Sequence, residues 1–175
     1  MFLPWAGGRG AVEMYGWTGK ILRGDLSSGN TSHIDTSKYV PEFIGGLGVA
    51  AKIAWDELKP GTEAFDPQNM LMLMLGPLTG TLASGAGRVL VAGIAPQQHP
   101  SVFSRSSMGG HWGPELKYAG FDGVVVQGEA AKPVYIWIDN GSVEIRDAGD
   151  IWGTGTYATT LALRAVHGPE TRVIA

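Results

Sequence analysis

Short apolar runs broken by glycine and proline set the pattern of this chain, and the period within each run predicts the elements. Residues 20–26 and 30–35 alternate as two strands, joined at Ser27-Ser28-Gly29, a loop with hairpin chemistry. Phe43, Leu47, Ala50, Ala51, Ala54, Trp55 and Leu58 recur at helical spacing, which predicts a core-facing helix that stops before Pro60-Gly61. Residues 70–75 and 88–95 are strongly apolar strands, separated by a long glycine-rich loop over 76–87. After residues 96–100 the chain turns small and polar through Ser104-Arg105-Ser106-Ser107-Met108-Gly109-Gly110. A helix follows with Pro114 at its first position and Trp112, Leu116 and Ala119 as its apolar stripe. Residues 122–127 read as a buried strand. Residues 133–138 and 142–146 pair through Asp139-Asn140-Gly141, because Asn-Gly favours the positive backbone angles of a type I′ turn. Residues 154–167 read as a helix and 172–175 as the start of another strand, so the domain reads as incomplete at its C-terminal end. Residues 1–13 are glycine-rich and aperiodic, and with Met14 following them they read as an extension or a mis-called start.

Composition narrows the class. With 44% hydrophobic and 17% charged residues in 175, the chain has the profile of a compact soluble domain that buries a core without disulfides or a structural metal. A net charge of −3 removes the case for a general nucleic-acid binder, which gains affinity from a basic excess. Cysteine is absent, which excludes thiol catalysis, Cys-ligated zinc and any iron–sulfur cluster held by this chain's own thiolates. The longest apolar run, residues 70–75, is far short of the roughly 20 residues a membrane span needs. Met1-Phe2-Leu3-Pro4-Trp5 lacks the basic leader and apolar stretch of a signal peptide, so the expected location is cytoplasmic. Glycine is the outlier, with 27 residues where a typical domain of this size has roughly 7%. These glycines lie between apolar runs without a collagen period, so they mark turns and close backbone approaches.

Three segments are candidates for chemistry. Gly46-Leu47-Gly48-Val49-Ala50-Ala51 fits the G-x-G-x-x-A dinucleotide pattern with Asp66 downstream, but no buried strand precedes it, and the glycines read as close packing at a helix start. Ser107 through Pro114 places several backbone N–H groups with little side-chain cover at a helix N-terminus, which suits an anion or merely turns the chain. Arg88, after Gly85-Ala86-Gly87 at a strand start, offers a guanidinium that binds phosphate in a bidentate way or stays solvated. His33, His99, His111 and His167 show no metal spacing, and none is assigned as a ligand. Asp56, Glu57, Asp122, Glu144 and Asp147 read as solvated, and Glu115 as a helix-dipole residue. No nucleophile elbow, P-loop or serine triad signature occurs. Unaided chemistry stops at a glycine-rich α+β domain with an anion site.

Four motifs in order carry a resemblance. Met14-Tyr15-Gly16-Trp17-Thr18-Gly19-Lys20, Gly76-Pro77-Leu78-Thr79-Gly80-Thr81, Gly109-Gly110-His111-Trp112-Gly113-Pro114-Glu115-Leu116-Lys117-Tyr118-Ala119-Gly120 and Lys132-Pro133-Val134-Tyr135-Ile136-Trp137-Ile138 are similar to the N-terminal domain of the aldehyde ferredoxin oxidoreductase family. The resemblance runs from Met14 to Ala175, so it implies a tungstopterin-binding domain over 14–175. It implies an α+β fold of two mostly antiparallel β-sheets with flanking helices, shaped as a saddle for a tungsten bis-pterin. Arg88 and the loop of Ser107, Met108, Gly109 and Gly110 are the cofactor-binding residues it implies, with no catalytic or metal-ligating residue assigned in this chain. Ser107 stands where the family has an asparagine at the magnesium that bridges the two pterin phosphates. The [4Fe-4S] cluster and the magnesium are therefore expected only with a longer parent. By the same resemblance the activity is oxidation of aldehydes to carboxylic acids, with ferredoxin or another electron-transfer subunit as partner in a homo- or hetero-oligomer. Met108-Gly109-Gly110 followed by Trp112 also resembles the tungsten subunit of class II benzoyl-CoA reductases. A non-catalytic pterin-binding or assembly module is the third reading.

Overall fold

The computed structural model describes residues 15–40 and 42–175, so the reading of residues 1–13 as an extension lies outside the described residues. Eight strands and three α-helices follow one another: β1 (Lys20–Asp25), β2 (Asn30–Asp35), α1 (Leu47–Glu57), β3 (Met70–Met74), β4 (Val89–Ala95), β5 (Val102–Met108), α2 (Trp112–Tyr118), β6 (Gly123–Gln127), β7 (Val134–Asp139), β8 (Ser142–Asp147) and α3 (Thr156–His167). Six strands form one sheet in the order β2-β1-β6-β3-β4-β5, and β7-β8 form a separate hairpin. All neighbours are antiparallel except β1 and β6. The expected α+β class with two mostly antiparallel sheets is what the chain adopts.

Period-two alternation splits the large sheet into two buried faces. Ile21, Met70, Met72, Met74, Ala92 and Val125 point to one side, where Val49, Ala50, Ile53 and Ala54 of α1 cover them. Leu22, Leu75, Val89 and Val124 point to the other, against Leu116 of α2 and Ile136, Ile138 and Val143 of the hairpin. Each fully buried aliphatic or methionine side chain contributes about 1.5–3 kcal/mol, so the two faces together define the domain. The β7-β8 turn follows the Asn-Gly rule, with φ of 46° at Asn140 and 87° at Gly141.

Four expectations need correction. The stripe expected on α1 is rotated: Ala50 and Ala54 are buried as expected, but Val49 and Ile53 join them and Trp55 is 84% exposed. Small residues let the helix approach the sheet closely, and an indole on that line has no room. The polar stretch 104–108 is strand β5 rather than loop, because its backbone pairs along β4 from Val89↔Met108 to Ala95↔Val102. Its serines sit on an edge strand, where hydrogen bonding by the neighbouring backbone overrides weak propensity. Pro114 is the third residue of α2, not the first, since Trp112 already opens the helix after His111. Residues 172–175 make no regular strand.

Candidate functional site

Strand alternation separates the residues that the sequence grouped into one cradle. Ser107 pairs with Leu90 and shares its face, the one covered by α1, whereas Met108 pairs with Val89 and packs on the opposite side. Two clefts result. The first, about 370 Å³, is lined by Ile44, Gly45, Gly46 and Leu47 at the start of α1, by Gly76 and Pro77, and by Arg88 and Ser107. The second, about 500 Å³, holds Met108, Gly109 and Gly110 with His111, Thr156, Thr160, Arg164 and Arg172. The single cradle expected from Arg88 and the turn toward Pro114 is thus two adjoining surfaces. Arg88 stands at their border, with Nη1 only 3.5 Å from the point where a Cβ on Gly109 would be.

Arg88 is exposed immediately before β4 and has no hydrogen bond or ion pair among the described residues. Among the described residues no carboxylate lines its cleft. Opposite it, Gly46 caps α1 with no side-chain bond; Gly46 N–H donates to Leu75 O and Gly48 N–H to Gly45 O, at 3.1 Å each, which leaves the Leu47 N–H as a bare donor beside the partial positive charge of the helix end. Gly46 at φ 50° and Gly110 at φ 101° have nothing within 4 Å of where a Cβ would stand, so bare backbone faces open space on both surfaces. Ile44 and Leu47 add an exposed apolar rim, 83% and 40% accessible. A cation without a partner, backbone donors and apolar surface together fit a large, flat, phosphorylated organic molecule. A phosphorylated pterin has that chemistry. Gly46 and Leu47, which open the Gly46–Ala51 stretch set aside in the sequence as a dinucleotide pattern, form one wall of this cleft with Gly45; two successive glycines before a helix, both at positive φ, are the signal.

Asp122, read from the sequence as solvated, is fully buried. Its carboxylate accepts from the backbone N–H of Thr18 and Gly19 at 2.9 Å each, from Thr36 Oγ1 at 2.7 Å and from Lys117 Nζ at 2.7 Å. Lys117 also donates to Gly16 O at 3.1 Å and lies 4.7 Å from the centroid of the Trp17 ring. Burial pulls the Lys117 ammonium below the ordinary lysine value, and the Asp122 carboxylate opposes that pull. This network pins the strap of residues 16–19 so that Trp17 abuts Gly45, where a Cβ would stand 2.5 Å from the ring. The cleft wall therefore rests on the strap. The four histidines and the described acids form no cluster able to hold a metal ion among the described residues. No described helix is long and apolar enough to cross a membrane.

Known proteins share this arrangement. Residues 21–175 match the family described as "Aldehyde ferredoxin oxidoreductase, N-terminal domain". The tungsten-containing aldehyde ferredoxin oxidoreductase of Pyrococcus furiosus is 38% identical over 161 residues, covering 90% of this chain and 26% of the relative. That of Thermococcus kodakarensis is 37% identical over 156 residues, covering 89% and 26%. An aliphatic sulfonate oxidoreductase, WOR-like subunit, from Pyrococcus furiosus is 37% identical over 161 residues, covering 88% and 25%. Among solved structures, the active-site complex BamBC of benzoyl coenzyme A reductase with 1,5-dienoyl-CoA superposes with a TM-score of 0.84 at 39% identity, over 89% of this chain and 24% of that one. The chain spans about a quarter of the length of the relatives it matches. By sequence, by fold and by the motifs that build its clefts, it belongs to the aldehyde ferredoxin oxidoreductase family, as an N-terminal domain.

Proposed function

We propose that this chain is the tungstopterin-holding domain of an oxidoreductase that converts an aldehyde and water to a carboxylate, three protons and two electrons. A [4Fe-4S] cluster held outside this chain would supply the path for those electrons to ferredoxin. The observation that carries this reading is Arg88, an unpaired guanidinium beside bare glycine backbone at the start of α1. When bound, the tungsten–pterin group supplies the two-electron redox chemistry. The work of this chain is positional. Arg88 binds anionic oxygen in a bidentate way, the N–H of Leu47 adds a donor, and Ile44 and Leu47 cover apolar surface and exclude water. Ser107, on the wall of the same cleft, would offer a hydroxyl oxygen to a magnesium ion bound with the cofactor. Met108, Gly109 and Gly110 border the second surface with open backbone.

The chain holds no cysteine, so cluster thiolates come from outside it, consistent with ferredoxin or another electron-transfer subunit as partner in an oligomer. A cytoplasmic site of action belongs to the same reading. The likeness to the benzoyl coenzyme A reductase complex supports a second one, reductive chemistry on an aromatic acyl-CoA by the same cradle. Tungsten and pterin content of the purified holoprotein tests the cradle, with Arg88→Ala expected to lower both. Unchanged content in that variant overturns the role of Arg88, and absence of both tungsten and molybdenum from the unmodified protein supports the non-catalytic module. Turnover of simple aldehydes against aromatic acyl-CoA esters separates the two enzymatic readings.

A further inference from the structure

The motif Gly76-Pro77-Leu78-Thr79-Gly80-Thr81 has no part in the cradle beyond its first two residues, yet Thr79 is 2% exposed. Thr79 Oγ1 accepts from Gly76 N at 3.2 Å and donates to Ala86 O at 3.0 Å. One hydroxyl thus joins Gly76, the second residue after β3, to Ala86, two positions before Arg88. Elsewhere in the loop Leu78 is 57% exposed and Leu82 fully so, and the tie to α2, Tyr118 Oη donating to Gly80 O at 2.9 Å, falls six residues before Ala86. From the other side, Gly87 is packed against α2, where a Cβ on Gly113 would stand 3.2 Å from Gly87 O and 2.8 Å from Val89 Cγ2. Ala86 and Gly87 are therefore gripped on two sides, directly before the residue that must face the cleft.

We infer that Thr79 is a positioning residue: its hydroxyl staples the 76–87 loop shut and so fixes where Arg88 enters the anion cleft. A threonine or serine hydroxyl serves, since it supplies one donor and one acceptor at the same atom, and an aliphatic side chain of the same shape does not. The inference rests on the proposed role of Arg88 in holding a phosphorylated pterin, and the test separates the two.

Thr79→Val and Thr79→Ser are compared in the full-length holoprotein by tungsten and pterin content and by hydrogen exchange of the Gly76 amide, the N–H that the hydroxyl accepts. Loss of two hydrogen bonds predicts that Thr79→Val speeds exchange at Gly76 and lowers cofactor content by about threefold to tenfold, and that Thr79→Ser restores both. Full cofactor content and unchanged exchange in Thr79→Val overturn the inference; so does equal loss in the serine variant, which assigns the effect to the methyl group. Exchange on the unmodified protein decides the matter even where the valine variant does not accumulate, since the staple predicts a slowly exchanging Gly76 amide and fast exchange there overturns it. If Arg88→Ala keeps its cofactor, the cleft reading fails while slow exchange at the Gly76 amide still reports the staple. If Arg88→Ala loses cofactor and Thr79→Val does not, the staple alone falls.

Discussion

Lys117 Nζ and Asp122 Oδ1 lie 2.7 Å apart with side chains only 3% and 0% exposed, at the point where α2 hands the chain to β6. A charge pair so far from solvent stabilises little relative to apolar residues of equal size, but removing one member leaves the other buried alone. Lys117→Met is expected to destabilise the domain by about 3–5 kcal/mol in denaturant unfolding. Asp122→Asn is expected to be nearly as costly, because an amide turns one of the two accepting oxygens into a donor that faces Gly19 N–H and Thr36 Oγ1. An unfolding free energy within about 1 kcal/mol of the unmodified protein for both variants would show that water replaces the pair.

Gly113 lies in the first turn of α2, where alanine is ordinarily the better helix former by about 1 kcal/mol. Here the added methyl would meet Val89 Cγ2 at 2.8 Å and Gly87 O at 3.2 Å. Overpacking outweighs propensity, and Gly113→Ala is expected to lose about 1–3 kcal/mol of stability. Thermal unfolding checks the sign. A gain in melting temperature would mean that β4 yields to the methyl, and with it that Arg88 is not firmly placed.

Arg88 itself gives the opposite expectation. It is exposed and has no partner among the described residues, so Arg88→Ala is expected to change unfolding free energy by no more than about 0.5 kcal/mol in the cofactor-free protein. Its effect on tungsten and pterin content is then a matter of binding and not of folding. Stability that falls as much as cofactor content would assign Arg88 to the scaffold.

Local rules carried the elements whose own side chains decide their shape. The β7-β8 turn follows from Asn140-Gly141, and the β3 core from alternate methionines, because each depends on a few consecutive residues. What local rules missed depends on residues distant in the chain. β5 is a strand because β4 is beside it, although Ser104 to Ser107 have no strong strand preference. Asp122 is buried because Thr18, Gly19, Thr36 and Lys117 converge on it from up to 104 positions away. The motifs pointed to Arg88 and Ser107, but the split into two clefts follows from strand parity, visible only once residues 104–108 are known to be strand.

The last expectation concerns acid. His167 at the end of α3 stacks on Trp137 with ring centroids 3.8 Å apart, and its Nε2 lies 3.0 Å from Tyr135 Oη. Burial, aided by the Arg146 guanidinium and opposed by the Glu144 carboxylate, holds its pKa below the ordinary value of 6.5. The folded state therefore binds this proton less readily than the unfolded chain does. As pH falls through about 6.5 the unfolded state takes up the proton first, so stability declines until folded His167 is protonated as well, and above that range the contribution is fully present. His167→Phe keeps a stacked ring over Trp137 and removes the titrating group. The melting temperature of the unmodified domain is expected to drop more between pH 7.5 and pH 5 than that of the variant, and the difference cancels the shared effects of His33, His99 and His111. Parallel curves would show that α3 is not held to the β7-β8 hairpin by a neutral imidazole, and would move that contact to the apolar residues around it.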